Sequence, residues 1–388
     1  MQDEFHQQSS PVQAAQQLVR DVLAPLWRSI AKSSIQTSGL FLATSIGVAA
    51  VVASPAMGSP APAQQKQNSQ LVSQAPPTVQ LTLVSYAVTQ AAYDRIIPLF
   101  VEQWRRTHNG QNVEFNTSYG GSGSQARAVI DGLEADVVAL ALSSDVSKIE
   151  QAGLIDDGWE SEAPNDAIVT HSVIAFVTRQ GNPKRIRTWS DLVRPDVAVI
   201  TANPKTSGGA RWNFLGLWGS ITETGGTETQ ARDFVSQVYR NTPVLPRDAR
   251  EATDTFFTRG QGDVLLNYEN EVILASQRGE DQFFSVIPPV NISIDAPVAV
   301  VDKNVDEHGT REVAEAFVEF LFTPAAQREF ASVGFRPVNP EVAREVQNRF
   351  PRVSQLYTVQ DFGGWSEVQR RFFDDGGIFD QIYTTQSR

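Results

Sequence analysis

From Val79 onward, short apolar runs alternate with segments whose apolar residues recur every three or four positions. VQLTLVSY (79–86), NVEFNTSY (112–119), VAVIT (197–201), DVLLNY (263–268) and APVAVVD (296–302) have the length and β-branched content of strands. DVVALAL (136–142) is apolar without interruption, as expected of a strand covered on both faces. IVTHSVIAFVTR (168–179) belongs to the same series. Between these runs the spacing predicts a helix over Thr89 to Arg106, with Tyr93, Ile96, Ile97, Phe100 and Trp104 on one face and a bend at Pro98. Further helices are predicted over 210–221, 227–239, 248–257, 269–277, 310–322 and 323–334. Such alternation implies α/β architecture, with βαβ units around a largely parallel sheet. A chain of 388 residues is long enough for about two such domains, but periodicity alone does not say how the sequence is shared between them.

Composition narrows the function. The formal charge is −12 and the pI about 4.9, a poor match for nucleic acid, whose phosphates call for a basic face. The absence of cysteine removes disulfides, thiolate catalysis and thiolate metal sites. His6, His108, His171 and His308 are scattered and form no HExxH motif, so no zinc site is indicated.

Before Val79 the chain has a different character. Arg28 and Lys32 precede the apolar stretch GLFLATSIGVAAVVA (39–53), and a small-residue segment containing Ala61, Pro62 and Ala63 follows. That order is the pattern of a secretory signal, and the apolar run is short of the ~20 residues a bilayer span needs. Residues 1–63 therefore read as a signal and leader, and 64–78, rich in Ala, Pro, Gln and Ser, as a disordered linker. Export to the periplasm with cleavage of the leader follows as an expectation.

Four junctions between a strand and a helix carry small or polar residues: SYAVTQ (85–90), SYGGSGSQA (118–126), NPKTSGGAR (203–211) and RDAREA (247–252). In open α/β sheets, ligands gather at the carboxyl ends of strands, where helix N-termini offer unpaired N–H groups and a partial positive charge. GSGSQA also fits the loose dinucleotide pattern G-x-G-x-x-A, with Asp145 near the distance of a ribose-binding acid. Its glycines are equally consistent with a tight turn alone. No P-loop occurs, and Ser122 misses the G-x-S-x-G elbow because residue 124 is serine. In NPKTSGGARW, Lys205 and Arg211 bracket the turn, while Gly208 and Gly209 let backbone approach a ligand closely. The uncharged middle is the better candidate for holding an anion, with the two cations serving the fold.

Longer blocks sharpen this reading. GGSGSQARAVIDGLEADVVALAL (120–142), NPKTSGGARWNFL (203–215), DAREATDTF (248–256), GQGDVLLNYENEVILA (260–275), FRPVN (335–339) and GGWSEVQRRFFDDGGIFDQI (363–382) resemble the periplasmic sulfate-binding proteins, substrate-binding subunits of sulfate/thiosulfate ABC transporters. The resemblance runs from about residue 80 to 383. It implies a two-lobed periplasmic binding protein fold of type II, hinged around an interlobe ligand cleft. Lobe one would comprise 79–165 plus 290–388, and lobe two 166–289. It also implies a monomeric binder without cofactor, metal or catalytic chemistry that delivers sulfate or thiosulfate to membrane permease subunits.

Carried over by motif, the anion-binding positions are Ala87, Ser122, Ser207, Gly208, Gly209, Ala249 and Tyr268. Two depart from the family pattern. Ala87 stands where described members have aspartate, which leaves the backbone donor intact. Tyr268 replaces a tryptophan, and its phenol is also a donor when protonated. The competing readings are another tetrahedral oxyanion, molybdate or phosphate, or an enzyme acting on a phosphoryl or sulfuryl ester. A polyamine ligand would need a carboxylate-lined cleft.

Overall fold

The computed structural model describes residues 77–277, 279 and 283–386. The signal and almost all of the linker expected in 1–78 lie outside these residues. Among the described residues twelve strands follow in chain order: β1 (Val79–Tyr86), β2 (Val113–Gly120), β3 (Val137–Ala139), β4 (Ile168–Ser172), β5 (Ile174–Arg179), β6 (Val199–Ile200), β7 (Val264–Tyr268), β8 (Phe283–Val286), β9 (Val290–Ile292), β10 (Ile294–Val300), β11 (Arg336–Pro337) and β12 (Gln355–Tyr357). They form a six-stranded sheet in the order β11-β4-β10-β3-β1-β2, a four-stranded sheet in the order β6-β7-β5-β8, and the pair β12-β9.

Neither large sheet is largely parallel, contrary to the sequence reading. β1 pairs in parallel with β2 and β3, but β10 and β4 run antiparallel to their neighbours. The second sheet combines a parallel β6-β7 pair with antiparallel β5. β5 and β10 each enter their sheet directly after a crossing, and each runs antiparallel to both of its neighbours.

The stretch 168–179 shows the same effect. It reads as one strand-like run, yet the chain changes sheets at Val173, so β4 belongs to one and β5 to the other. A second crossing at Ser293 separates β9 from β10. The side chain of Asn291 bridges these two crossings. Its Oδ1 accepts from the Ile174 N–H at 3.1 Å, and its Nδ2 donates to the Ile174 carbonyl at 2.8 Å. Fully buried, this amide supplies a pair of ladder bonds where the regular ladder breaks.

Helix Gln90–Thr107 covers the six-stranded sheet with Tyr93, Ile96, Phe100 and Trp104 buried. Pro98 lies inside it, on the exposed side. Phe100 meets Phe115, Phe317 and Phe320 at ring-centroid distances of 6.0, 5.1 and 5.7 Å. On the other lobe, helix Gly208–Thr222 is buried from Gly208 through Ser220. A helix apolar all round needs cover on every side. The four-stranded sheet covers one side, and Phe372 and Phe373 another, at 5.5 and 5.3 Å from Phe214. The C-terminal aromatic residues therefore pack on this helix, whereas the sequence reading grouped all of 290–388 into lobe one.

Phe214→Ala removes the ring shared by these contacts and should lower stability by about 3–5 kcal/mol, measured as the shift of the urea unfolding curve.

Candidate functional site

The residues singled out by sequence come from turns on both sheets. Ala87 begins a short 3-10 turn directly after β1. Ser122 opens helix Ser122–Ile130 after β2. Ser207 caps helix Gly208–Thr222, of which Gly208 and Gly209 are the first two residues. Ala249 opens helix Ala249–Phe257, and Tyr268 ends β7. All seven line one cavity, which encloses about 200 Å³ of empty space including its opening. Little free room remains inside it, which suits a small ion.

The first N–H groups of a helix have no intrahelical acceptor, and the helix dipole makes that end partially positive. Several such ends therefore face one small space. Around it, the side chains with competing acceptors are already engaged. Asp248 accepts from the Glu251 N–H at 2.8 Å as a helix cap. The Ser207 hydroxyl accepts from Ala210 N–H at 3.3 Å, which leaves its own proton for another acceptor. Ser122 differs, since its hydroxyl donates to Asp145 Oδ2 at 2.7 Å and accepts from Ala141 N–H at 3.1 Å. What Ser122 offers the cavity is its backbone N–H.

Close approach explains the two glycines. A Cβ on Gly208 would sit 2.7 Å from the Ala141 methyl, and one on Gly209 would sit 2.8 Å from the Tyr268 ring. Tyr268 is 2% exposed, and its hydroxyl has no hydrogen-bond partner among the described residues. Burial, reinforced by Glu271 and Asp145, pushes its pKa far above the ordinary phenol value, so it stays protonated and able to donate. A buried hydroxyl without a partner costs about 1–3 kcal/mol, which an incoming acceptor would relieve.

Among the described residues, no lysine, arginine or histidine lines the cavity. Lys205 Nζ binds Asp380 at 2.8 Å and the Phe373 carbonyl at 3.0 Å, tying the C-terminal segment to this lobe. Arg211 is 4% exposed and binds Asp145 at 3.1 Å and the Pro204 carbonyl at 2.8 Å. The basic bracket around the Thr-Ser-Gly-Gly turn thus serves the fold. Asp145 is fully buried in this pair, sealed off from any ribose, so the loose dinucleotide pattern at 121–126 lacks its acidic partner.

Tyr86, Val88, Gly120, Gly121, Ala141 and Asp248 also line the cavity and were not singled out from sequence. Most flank predicted positions by one residue. Ala141 had no signal, because it is one small apolar residue in an apolar run.

Residues 81–336 match the family described as bacterial extracellular solute-binding protein. The chain is 62% identical over 316 residues to a sulfate-binding protein of Synechocystis sp., covering 81% of this chain and 89% of that one. It is 39% identical over 303 residues to a thiosulfate-binding protein of Pseudomonas aeruginosa, covering 78% and 91%. Among solved structures, the sulfate-binding protein SubI from Mycobacterium tuberculosis H37Rv is similar at 38% identity with a TM-score of 0.70, covering 76% of this chain and all of that one.

Gly208→Val should remove anion binding in a tryptophan-fluorescence titration, because its side chain would collide with Ala141. Lys205→Met, at a residue that does not line the cavity, should leave the dissociation constant within about threefold, as expected for a screened, partly exposed ion pair.

Proposed function

The chain belongs to the bacterial extracellular solute-binding proteins and, within them, to the sulfate-binding proteins; on that premise we propose how it captures its ligand. It binds sulfate, with thiosulfate as a related ligand, in the cavity between its two lobes. It works in the periplasm as a monomer exported by its leader and hands the anion to the permease of an ABC transporter. As a solute-binding protein it carries out no chemical step. We place the lobe boundaries at the sheet crossings, near Val173 and Ser293, with the segment after β12 moving with lobe two.

The observation that carries this reading is a cavity furnished with neutral donors and no cation. The backbone N–H groups of Ala87, Ser122, Gly208, Gly209 and Ala249, with the hydroxyls of Ser207 and Tyr268, are the proposed contacts. Hydrogen bonds to a charged acceptor contribute about 1.5–3 kcal/mol each, so a full set comes to some 10–20 kcal/mol before costs. Lost motion and lobe closure consume part of this, which leaves room for a micromolar dissociation constant, about −8 kcal/mol.

Proton count gives the selectivity. Sulfate is fully ionised and presents only acceptors, matching a wall of donors. Phosphate near neutral pH retains a proton that needs an acceptor, and leaving it unpaired in a closed site is costly. The nearby carboxylate of Asp248 caps its helix through Oδ1 and faces Arg247 through Oδ2 at 3.5 Å.

Calorimetry with sulfate, thiosulfate, molybdate and phosphate tests the proposal. Sulfate should bind with a micromolar constant and phosphate far more weakly, and comparable affinity for the two would refute the neutral-donor account. Tyr268→Phe should weaken sulfate binding about 10- to 100-fold, the range for one hydrogen bond to a charged group. An unchanged constant would mean that the hydroxyl does not meet the anion.

A further inference from the structure

Asp145 has no role in the contacts above, yet it is among the most enclosed charges in the molecule. It lies in the first turn of helix Ser143–Gln151, which follows β3 of the six-stranded sheet. Its carboxylate receives the Ser122 hydroxyl at 2.7 Å, Lys148 Nζ at 2.9 Å and Arg211 Nη1 at 3.1 Å. Ser122 and Lys148 belong to the same lobe. Arg211 belongs to the other, two residues beyond Gly209 on helix Gly208–Thr222.

A second bond runs alongside. Trp212 Nε1 donates to the Ala141 carbonyl at 2.8 Å, also buried and also across the lobes. Ala141 in turn donates its N–H to the Ser122 hydroxyl. The segment Ala141–Asp145 therefore holds Ser122 on its own side and grips the start of helix Gly208–Thr222 on the other. Neither Asp145 nor Arg211 lines the cavity.

We propose that Asp145 is a positioning residue that latches the lobes shut, joining the Ser122 half of the anion cavity to the Gly208–Gly209 half through Arg211. This rests on the reading of the cavity as the sulfate site. Burial alone would raise the Asp145 pKa, but Arg211, Lys148 and the Ser122 hydroxyl hold it below the usual carboxylate value, so the pair is ionic. A buried ion pair whose partner is removed leaves a charge stranded out of water. In the open form both groups regain water, and the loss of either matters little. The pair therefore acts on the closed state, the state that sulfate selects.

The latch and a direct electrostatic role give opposite signs. If Asp145 acted on sulfate only through its charge, removing a nearby negative charge would tighten binding. The latch requires that binding weaken. Asp145→Asn keeps the shape and can still accept from Ser122, while stranding Arg211. It should weaken sulfate binding in calorimetry by about 10- to 100-fold, and leave the unliganded thermal midpoint nearly unchanged while shrinking the sulfate-induced rise. The double variant Asp145→Asn with Arg211→Met removes both charges and should recover affinity to within about fivefold of the parent protein. Equal or tighter binding by Asp145→Asn would overturn the latch. So would a loss that the double variant does not recover, or a fall in the unliganded midpoint as large as that in the liganded one. A parent protein that binds no sulfate would overturn the ligand assignment, and the latch with it.

Discussion

On the proposed reading, the organising constraint is that a dianion is held in a cavity that no lysine, arginine or histidine among the described residues lines. Only many weak donors can do this, and they must converge from several directions. Helix N-termini supply such donors without side chains, because their first N–H groups have no partner in the helix. Two sheets, each ending its strands at the same cleft, are the means of bringing Ala87 and Ser122 against Gly208, Gly209 and Ala249. Residues 208 and 209 are glycines because a Cβ there would run into Ala141, on the six-stranded sheet's side, and into the Tyr268 ring.

That arrangement moves the burden of charge elsewhere. Lys205 and Arg211, nearest in sequence to the donors, are drawn into contacts behind the cavity wall: Lys205 holds the C-terminal segment, and Arg211 reaches across to Asp145. Helix Gly208–Thr222 is the common element. It carries donors at its start, meets the opposite lobe through Arg211 and Trp212, and is enclosed along its length by the sheet and by Phe372 and Phe373. Packing holds its axis, so its first turn is presented to the ligand in a fixed direction, which preorganises the donors and limits the entropy lost on binding.

Much of the fold could be read along the chain. The strands at 79–86, 113–120 and 264–268 and the helices from 90, 208, 249 and 311 lie where apolar period and junction residues put them, because those signals are local. Sheet membership is not local. Strand propensity runs through IVTHSVIAFVTR without a turn residue, so the crossing at Val173 is not marked by any local signal. Parallel or antiparallel pairing escaped for the same reason, as did the packing of the C-terminal aromatic residues on a helix some 150 positions earlier.

By itself, the sequence determined the chemical character of the site: small residues at strand-to-helix turns, glycines where backbone must come close, and a hydroxyl at 268 where the family has an indole. Each of these is set by what a residue is and by its immediate neighbours. Only the tertiary structure decided which groups meet. It turned the Ser122 hydroxyl away to Asp145 and left its amide for the cavity. It buried the Tyr268 hydroxyl without a partner among the described residues, and it made Arg211 a bond between lobes rather than a clamp on the anion. These outcomes depend on competition among donors and acceptors far apart in the chain, and that competition is settled only when the two lobes close and water is excluded.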